Sequence, residues 1–200
     1  MKVGIMGGTF DPIHIGHLLA AESALDAYRL DEVWFMPSHI PPHKQESGVT
    51  GQMRLEMTAE AVDGHPSFRT LDFEVERGGV SYTIDTVEEL HRMYPHIEFT
   101  FIVGADMVNY LPKWHRIAEL AQMLDFIGVN RPGSDLDLNR LPAFLQGVVR
   151  IADMPLVDIS SSMIRKRTAE GKSIRYMVPD RVYDYIVRSG IYGIQPGTTD

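Results

Sequence analysis

The stretch VGIMGGTFDPIHIGH, residues Val3 to His17, decides the fold. Val3 to Met6 is a short apolar run closed by Gly7 and Gly8. Apolar residues at helical spacing then follow (Ile15, Leu18, Leu19, Leu25), and the whole reads as strand, tight turn and helix, the first half of a βαβ unit. Glycines at such a turn let the backbone approach a bound group closely and adopt positive φ, which a Cβ resists. A helix entrance carries unpaired N–H groups and the positive end of the dipole, so it favours an anion, above all a phosphate. His14 and His17, three residues apart, project to the same side of the first turn, toward whatever the glycine turn holds.

Two other readings of the stretch are weaker. GGTFDP lacks the third glycine of GxGxxG, which counts against a dinucleotide-binding domain for hydride transfer. An HxxH pair can ligate a metal, but no third ligand at a recognisable zinc spacing accompanies it.

Two hundred residues with 44% hydrophobic composition suit one domain, expected over residues 1–193, with 194–200 a disordered tail. A net charge of −8 argues against nucleic acid or an anionic membrane as partner, since both rely on clustered Lys and Arg. The expected partner is a small molecule. No run of eighteen apolar residues occurs, the chain begins directly in a strand without a signal pattern, and it contains no cysteine, all of which fits a cytoplasmic protein.

Outward from the opening stretch, Glu32 to Met36 reads as a second strand stopped by Pro37, and Ser38 to Gly51 as a loop at its end. His43 and Lys44 in that loop offer positive charge to a phosphate. Gln52 to Val62 predicts a helix, Thr70 to Val75 a third strand, and Thr83 to Met93 a helix whose entrance, Ser81 to Thr86, is rich in capping oxygens. Glu98 to Val103 is a strong strand followed at once by Gly104-Ala105-Asp106. There Asp106 could meet ribose hydroxyls or cap the next helix, and composition does not choose. Trp114 sits in the proline-marked LPKWH stretch, where a half-exposed ring suggests stacking. Phe126 to Val129 is a strand ended by Asn130 and Arg131, whose guanidinium could stack on a base or pair with phosphate.

Ser134 to Gly147 reads as mobile surface and Val148 to Ala152 as the last strand. Then comes DISSSMIR, Asp158 to Arg165: serines opening a helix, with an arginine one turn in, make a second anion site. Gly171 ends that helix, and Tyr183 to Val187 belong to a final one closed by Gly190. Strands and helices alternate throughout, so the expected fold is α/β, a Rossmann-like open parallel sheet with helices on both faces. Each singled-out residue follows a strand, where ligands of such sheets lie.

HIGH preceded by GGTFDP resembles the signature of the nucleotidyltransferase superfamily, whose members include small adenylyltransferases and class I aminoacyl-tRNA synthetases. SSSMIR is similar to the second adenylyltransferase signature, whereas the KMSKS-like loop, greater length and basic tRNA face of a synthetase are absent. In order, GGTFDPIHIGH, PPHK, SYTIDT, GADM, LPKW and ISSSMIR resemble the bacterial nicotinate-nucleotide adenylyltransferase family over nearly the whole chain. One departure is Ser38, where that family often has asparagine.

The resemblance implies transfer of AMP from ATP to nicotinate mononucleotide, giving deamido-NAD and pyrophosphate. It places Gly7, Gly8, Thr9, Phe10, Gly104, Asp106 and Arg131 around ATP. His17 is implied at the α-phosphate, His14 beside it, and Ser161, Ser162 and Arg165 at the β- and γ-phosphates. His43, Lys44, Thr83, Tyr110 and Trp114 are implied around the nicotinate nucleotide, with main-chain N–H groups near Thr83 for its carboxylate. Mg²⁺ is expected on the substrate phosphates without dedicated protein ligands. Two alternatives stay open on sequence: another phosphate monoester, such as phosphopantetheine, as acceptor, and an ATP sensor without turnover. A homo-oligomer is also left open.

Overall fold

The computed structural model describes residues 1–40, 49–130 and 137–194. Its centre is a parallel sheet of six strands: β1 (Lys2–Gly8), β2 (Glu32–Pro37), β3 (Phe68–Thr70), β4 (Glu98–Gly104), β5 (Asp125–Asn130) and β6 (Val149–Asp153). Their spatial order is β3-β2-β1-β4-β5-β6, with all pairs parallel. Strand order reverses at β1 and β4, and a crevice opens at the C-terminal strand ends of such a switch point. β1 ends there at Gly8 and β4 at Gly104.

The central strands are apolar on both faces because helices cover both. In β2, Val33 and Phe35 enter one core and Trp34 and Met36 the other. The first core gathers α1 (Ile15–Tyr28), α2 (Gly51–Val62), α8 (Ser161–Ala169) and α9 (Asp180–Ser189) through Ala21, Ala24, Met57, Ile164, Val182 and Ile186. The second holds α4 (Thr83–Met93) and α6 (Ile117–Met123) through Ile84, Val87, Leu90 and Leu120. Small residues on the buried side of α1 let it lie close to the sheet. Left-handed Gly190 ends α9, as the sequence suggests. No helix among the described residues is long and apolar enough to cross a membrane.

Two expectations need correction. Thr70 to Val75 is not a strand: β3 stops at Thr70, and Phe73–Arg77 forms the short helix α3. Leu71, Phe73 and Val75 alternate like a strand, yet the buried residue is Glu74, whose carboxylate accepts from Thr86 Oγ1 at 2.7 Å. The stretch read as mobile surface, Ser134 to Gly147, contains packed structure in its described part. A 3₁₀ turn, Leu138–Arg140, and the short helix α7 (Ala143–Gln146) bury Leu141 and Leu145 in the second core. The remaining short helix, α5 (Ala105–Val108), follows β4 directly.

Candidate active site

The chain leaves β1 at Gly8 and reaches α1 at Ile15. Contrary to expectation, Gly7 and Gly8 belong to β1 and neither has positive φ; the left-handed residue of the turn is Phe10, at φ 49°. What marks the two positions is close approach instead. A Cβ on Gly7 would lie 2.7 Å from the Phe101 ring, and one on Gly8 3.0 Å from the Phe10 ring. Phe10 is buried with its ring edge-on to His17, centroids 5.0 Å apart, so its unusual backbone is held by packing.

His14 occupies the N-cap of α1 and is 2% exposed; the half-buried His17 stacks on it with centroids 3.7 Å apart. The His14 backbone N–H donates to His17 Nδ1 at 3.2 Å. Nδ1 being an acceptor, the neutral His17 ring carries its proton on Nε2, which leaves that atom as the ring's donor.

The entrance of α8 is tied to this same turn. Ser160 caps the helix by accepting the Met163 N–H at 3.2 Å, and the Ser161 hydroxyl donates to the Pro12 carbonyl at 2.9 Å. Arg165 donates to the Asp11 carbonyl at 2.6 Å and to Ser162 Oγ at 3.3 Å, and it lies 3.7 Å from the Asp11 carboxylate. The two helix entrances singled out in sequence are therefore joined, with both histidines, Thr9, Phe10, Ser161, Ser162 and Arg165 around one turn.

Two further side chains fix that turn. Arg54 on α2 is 3% exposed and donates to the Thr9 carbonyl at 2.6 Å and the His39 carbonyl at 2.8 Å. Burial pulls its pKa down and the Asp11 carboxylate opposes that shift. Tyr192, in the 3₁₀ turn Ile191–Gly193 after α9, donates its hydroxyl to Asp11 Oδ1 at 2.6 Å. Burial, then the bond to Asp11, pushes its pKa up, so the phenol remains a neutral donor.

Across the crevice, α4 begins after Tyr82, which supplies no side-chain cap. The capping oxygens expected there have other partners. Ser81 Oγ accepts the His39 N–H at 3.2 Å, and Thr86 Oγ1 donates to the buried Glu74. Thr83 is half-buried in the first turn. Tyr82 meets the His115 ring at 4.6 Å, beside Trp114. Trp114 is half-buried and edge-on to Phe101 and Phe126, so it is seated in the second core as well as reaching the surface. Tyr110 is 55% exposed, with the Lys113 ammonium 5.0 Å from its ring centre.

Gly104 is the N-cap of α5 and Asp106 an exposed residue of its first turn, so Asp106 is not the cap. His43, Lys44 and Arg131 lie outside the described residues. Ser38, the departure from the family pattern, is buried and donates its hydroxyl to the Gly8 carbonyl at 3.4 Å. Among the described residues no group of three or more His, Cys, Asp or Glu could hold a metal ion. A cavity of about 490 Å³ at the N-terminal ends of β4 and β5, lined by His91, Phe99 and Leu124, contains none of these side chains.

Residues 5–167 match the cytidylyltransferase-like family model. The nicotinate-nucleotide adenylyltransferase of Bacillus subtilis is 46% identical over 192 residues, 96% of this chain and 98% of that one. The chain belongs to the nicotinate-nucleotide adenylyltransferase family. Within that family, the Geobacillus kaustophilus relative, named a probable enzyme of this type, is 49% identical over all 200 residues and 89% of its own length. In fold the chain is similar to the Plasmodium falciparum nicotinic acid mononucleotide adenylyltransferase solved with NaAD, with TM-score 0.78 and 21% identity over 97% of this chain and 98% of that one.

Asp11, Arg54 and Tyr192 are the site residues that sequence reasoning missed. Asp11 stood inside the quoted motif but offered no obvious ligand. Arg54 had a signal: it shares a helical face with the buried Met57, Thr58 and Val62. A lone charge on such a face must be paired inside. Tyr192 had none, its partner being 181 residues away.

Proposed function

We propose that the protein transfers the adenylyl group of ATP to nicotinate mononucleotide in the cytoplasm, forming deamido-NAD and releasing pyrophosphate. The observation that carries this reading is the junction of the two helix entrances, bearing the stacked histidines and Arg165, in a chain alike over nearly its full length to relatives of that name. A nucleotide phosphate oxygen attacks the α-phosphorus in line. The new P–O bond forms as the bond to the β-phosphate oxygen breaks, and pyrophosphate leaves with that electron pair. Such transfers need positioning and charge stabilisation more than covalent help.

His17 Nε2–H serves the α-phosphate, where charge builds, and His14 the neighbouring phosphate oxygens while its own N–H orients His17. The main-chain N–H groups of Ser161 and Ser162, the Ser162 hydroxyl and Arg165 take the β- and γ-phosphates. A guanidinium has five donors, of which two are used on Asp11 and Ser162. Gly7, Gly8, Thr9 and Phe10 shape the cradle, Asp106 beside Gly104 meets the ribose, and Arg131 meets ATP. Thr83, Tyr110 and Trp114, with His43 and Lys44, take the nicotinate nucleotide. The open entrance of α4 suits its ring carboxylate.

Asp11, the buried carboxylate of this turn, gives one oxygen to Tyr192 and holds the other 3.7 Å from Arg165, so Mg²⁺ is carried on the substrate phosphates, where it neutralises charge.

Pyrophosphate release from ATP with a panel of acceptors tests the proposal. Turnover with nicotinate mononucleotide is expected. Turnover confined to phosphopantetheine or to nicotinamide mononucleotide overturns the acceptor, and ATP binding without release overturns the activity.

A further inference from the structure

Tyr192 is far in sequence from everything that touches substrate in the proposed reaction, yet its hydroxyl ends on Asp11 in the middle of the opening motif. Its backbone is left-handed, at φ 59°, a region that an aromatic residue visits rarely and only where surrounding contacts hold it. Here Tyr192 packs on the first core, which holds Ile164 of α8 and Val182 and Ile186 of α9.

The Asp11 carboxylate is divided between two partners. Oδ1 accepts the Tyr192 hydroxyl at 2.6 Å, whereas Oδ2 is 3.7 Å from Arg165 Nη1, an ion pair longer than a hydrogen bond. The short bond from that same Nη1, 2.6 Å, goes to the Asp11 main-chain carbonyl. Arg165 is thus held at its place by a neutral acceptor, with the carboxylate near but not closed on it. Asp11 is 8% exposed, so water cannot readily replace a lost partner. Without the tyrosine hydroxyl, a desolvated carboxylate seeks its nearest fork of donors, and a bidentate pair with Arg165 is the strong alternative.

We propose that Tyr192 is a positioning residue for the phosphate grip: by occupying one oxygen of Asp11 it prevents the carboxylate from capturing Arg165. Arg165 then keeps donors for the β- and γ-phosphates of ATP. The inference rests on the proposed role of Arg165 at those phosphates, but not on the identity of the acceptor.

The test is calorimetric titration of wild-type, Tyr192→Phe, Arg165→Ala and the double variant with Mg·ATP, and separately with nicotinate mononucleotide. Tyr192→Phe keeps the ring and its packing, and thermal melting of the same sample reports the fold. Loss of one charge-assisted bond's worth of positioning corresponds to roughly tenfold weaker ATP binding. That loss is expected in Tyr192→Phe with acceptor affinity unchanged, and no further loss when the substitution is added to Arg165→Ala. Unchanged ATP affinity in Tyr192→Phe overturns the inference. So does an equal loss in the Arg165→Ala background, or a parallel loss for both ligands, which marks a merely structural role. Failure of the acceptor reading would appear instead as wild-type protein that binds ATP but does not turn over nicotinate mononucleotide.

Discussion

Asp11 lies almost wholly out of water and is met by Tyr192 and Arg165, whereas Arg116, on the other side of the crevice, reaches Asp85, Glu88 and Glu119 through side chains that are 35% to 58% exposed. The side proposed to hold the phosphates is stitched by short bonds between residues 45 to 181 positions apart, most of them to main-chain carbonyls. The side proposed to take the acceptor is tied by ion pairs in high dielectric and by the ring contacts of Tyr82 with His115 and of Trp114 with Phe101. Buried polar networks are rigid because leaving any member unpaired is expensive; exposed pairs are weak, screened by salt and easily rearranged. The difference suits a site whose ATP chemistry tolerates no displacement while its second substrate enters and leaves.

The comparison can be broken at several points. The largest effect is expected from His17→Ala: removing one pre-placed donor should lower kcat about a hundredfold to a thousandfold with the far-UV spectrum unchanged. Wild-type kcat would remove His17 from the chemistry. Arg54→Met should come next, because it strands the Thr9 and His39 carbonyls, and denaturant unfolding should show a loss of about 2–4 kcal/mol. A loss below about 0.5 kcal/mol would deny that the phosphate side depends on its buried network.

Effects on the acceptor side should be smaller and different in kind. Trp114→Ala should raise KM for nicotinate mononucleotide about tenfold, and an effect confined to ATP would contradict the ring-stacking role. Glu74→Gln probes the one buried carboxylate described behind α4. Burial raises the Glu74 pKa against the opposing bonds from Thr86 and Ser81, so its folded value lies above its unfolded one. Its contribution is then complete below the ordinary carboxylate range and is lost as pH rises through the raised value. The glutamine variant should flatten that decline in a series of melting curves from about pH 4 upward. An unchanged profile would show that Glu74 titrates normally. Smallest of all, Arg116→Gln should leave Tm nearly unchanged; a large drop in Tm would place real stability in the exposed pairs.

Most of what positions the site was legible because it is local. A glycine-closed strand, a serine cap and an apolar run each declare themselves within a few residues, and parallel strands buried on both faces read as continuous apolar segments. Gln52 to Val62 is the helix its sequence predicts even though Met53, Leu55, Met57, Ala59 and Ala61 stand at every second position; its buried side is Arg54, Met57, Thr58 and Val62. The misreadings have separate causes. α3 has five residues, too few for a helical period to outvote alternation. Glycines after a first strand suggested a left-handed turn, yet what they supply at positions 7 and 8 is room for Phe101 and Phe10. Asp11 and Tyr192 could not be paired without the fold, since nothing in either neighbourhood specifies a partner on the far side of the chain.

The central place of β1 has a consequence for how the molecule is made. Its neighbour β2 follows within a few tens of residues, but its other neighbour, β4, begins at Glu98. At ribosomal speeds of about 5–20 residues per second, one edge of β1 waits roughly 5–20 s for its partner. During that interval an apolar strand stands with an unpaired edge on the nascent chain, and the turn that follows it has neither Arg165 nor Tyr192 to hold it.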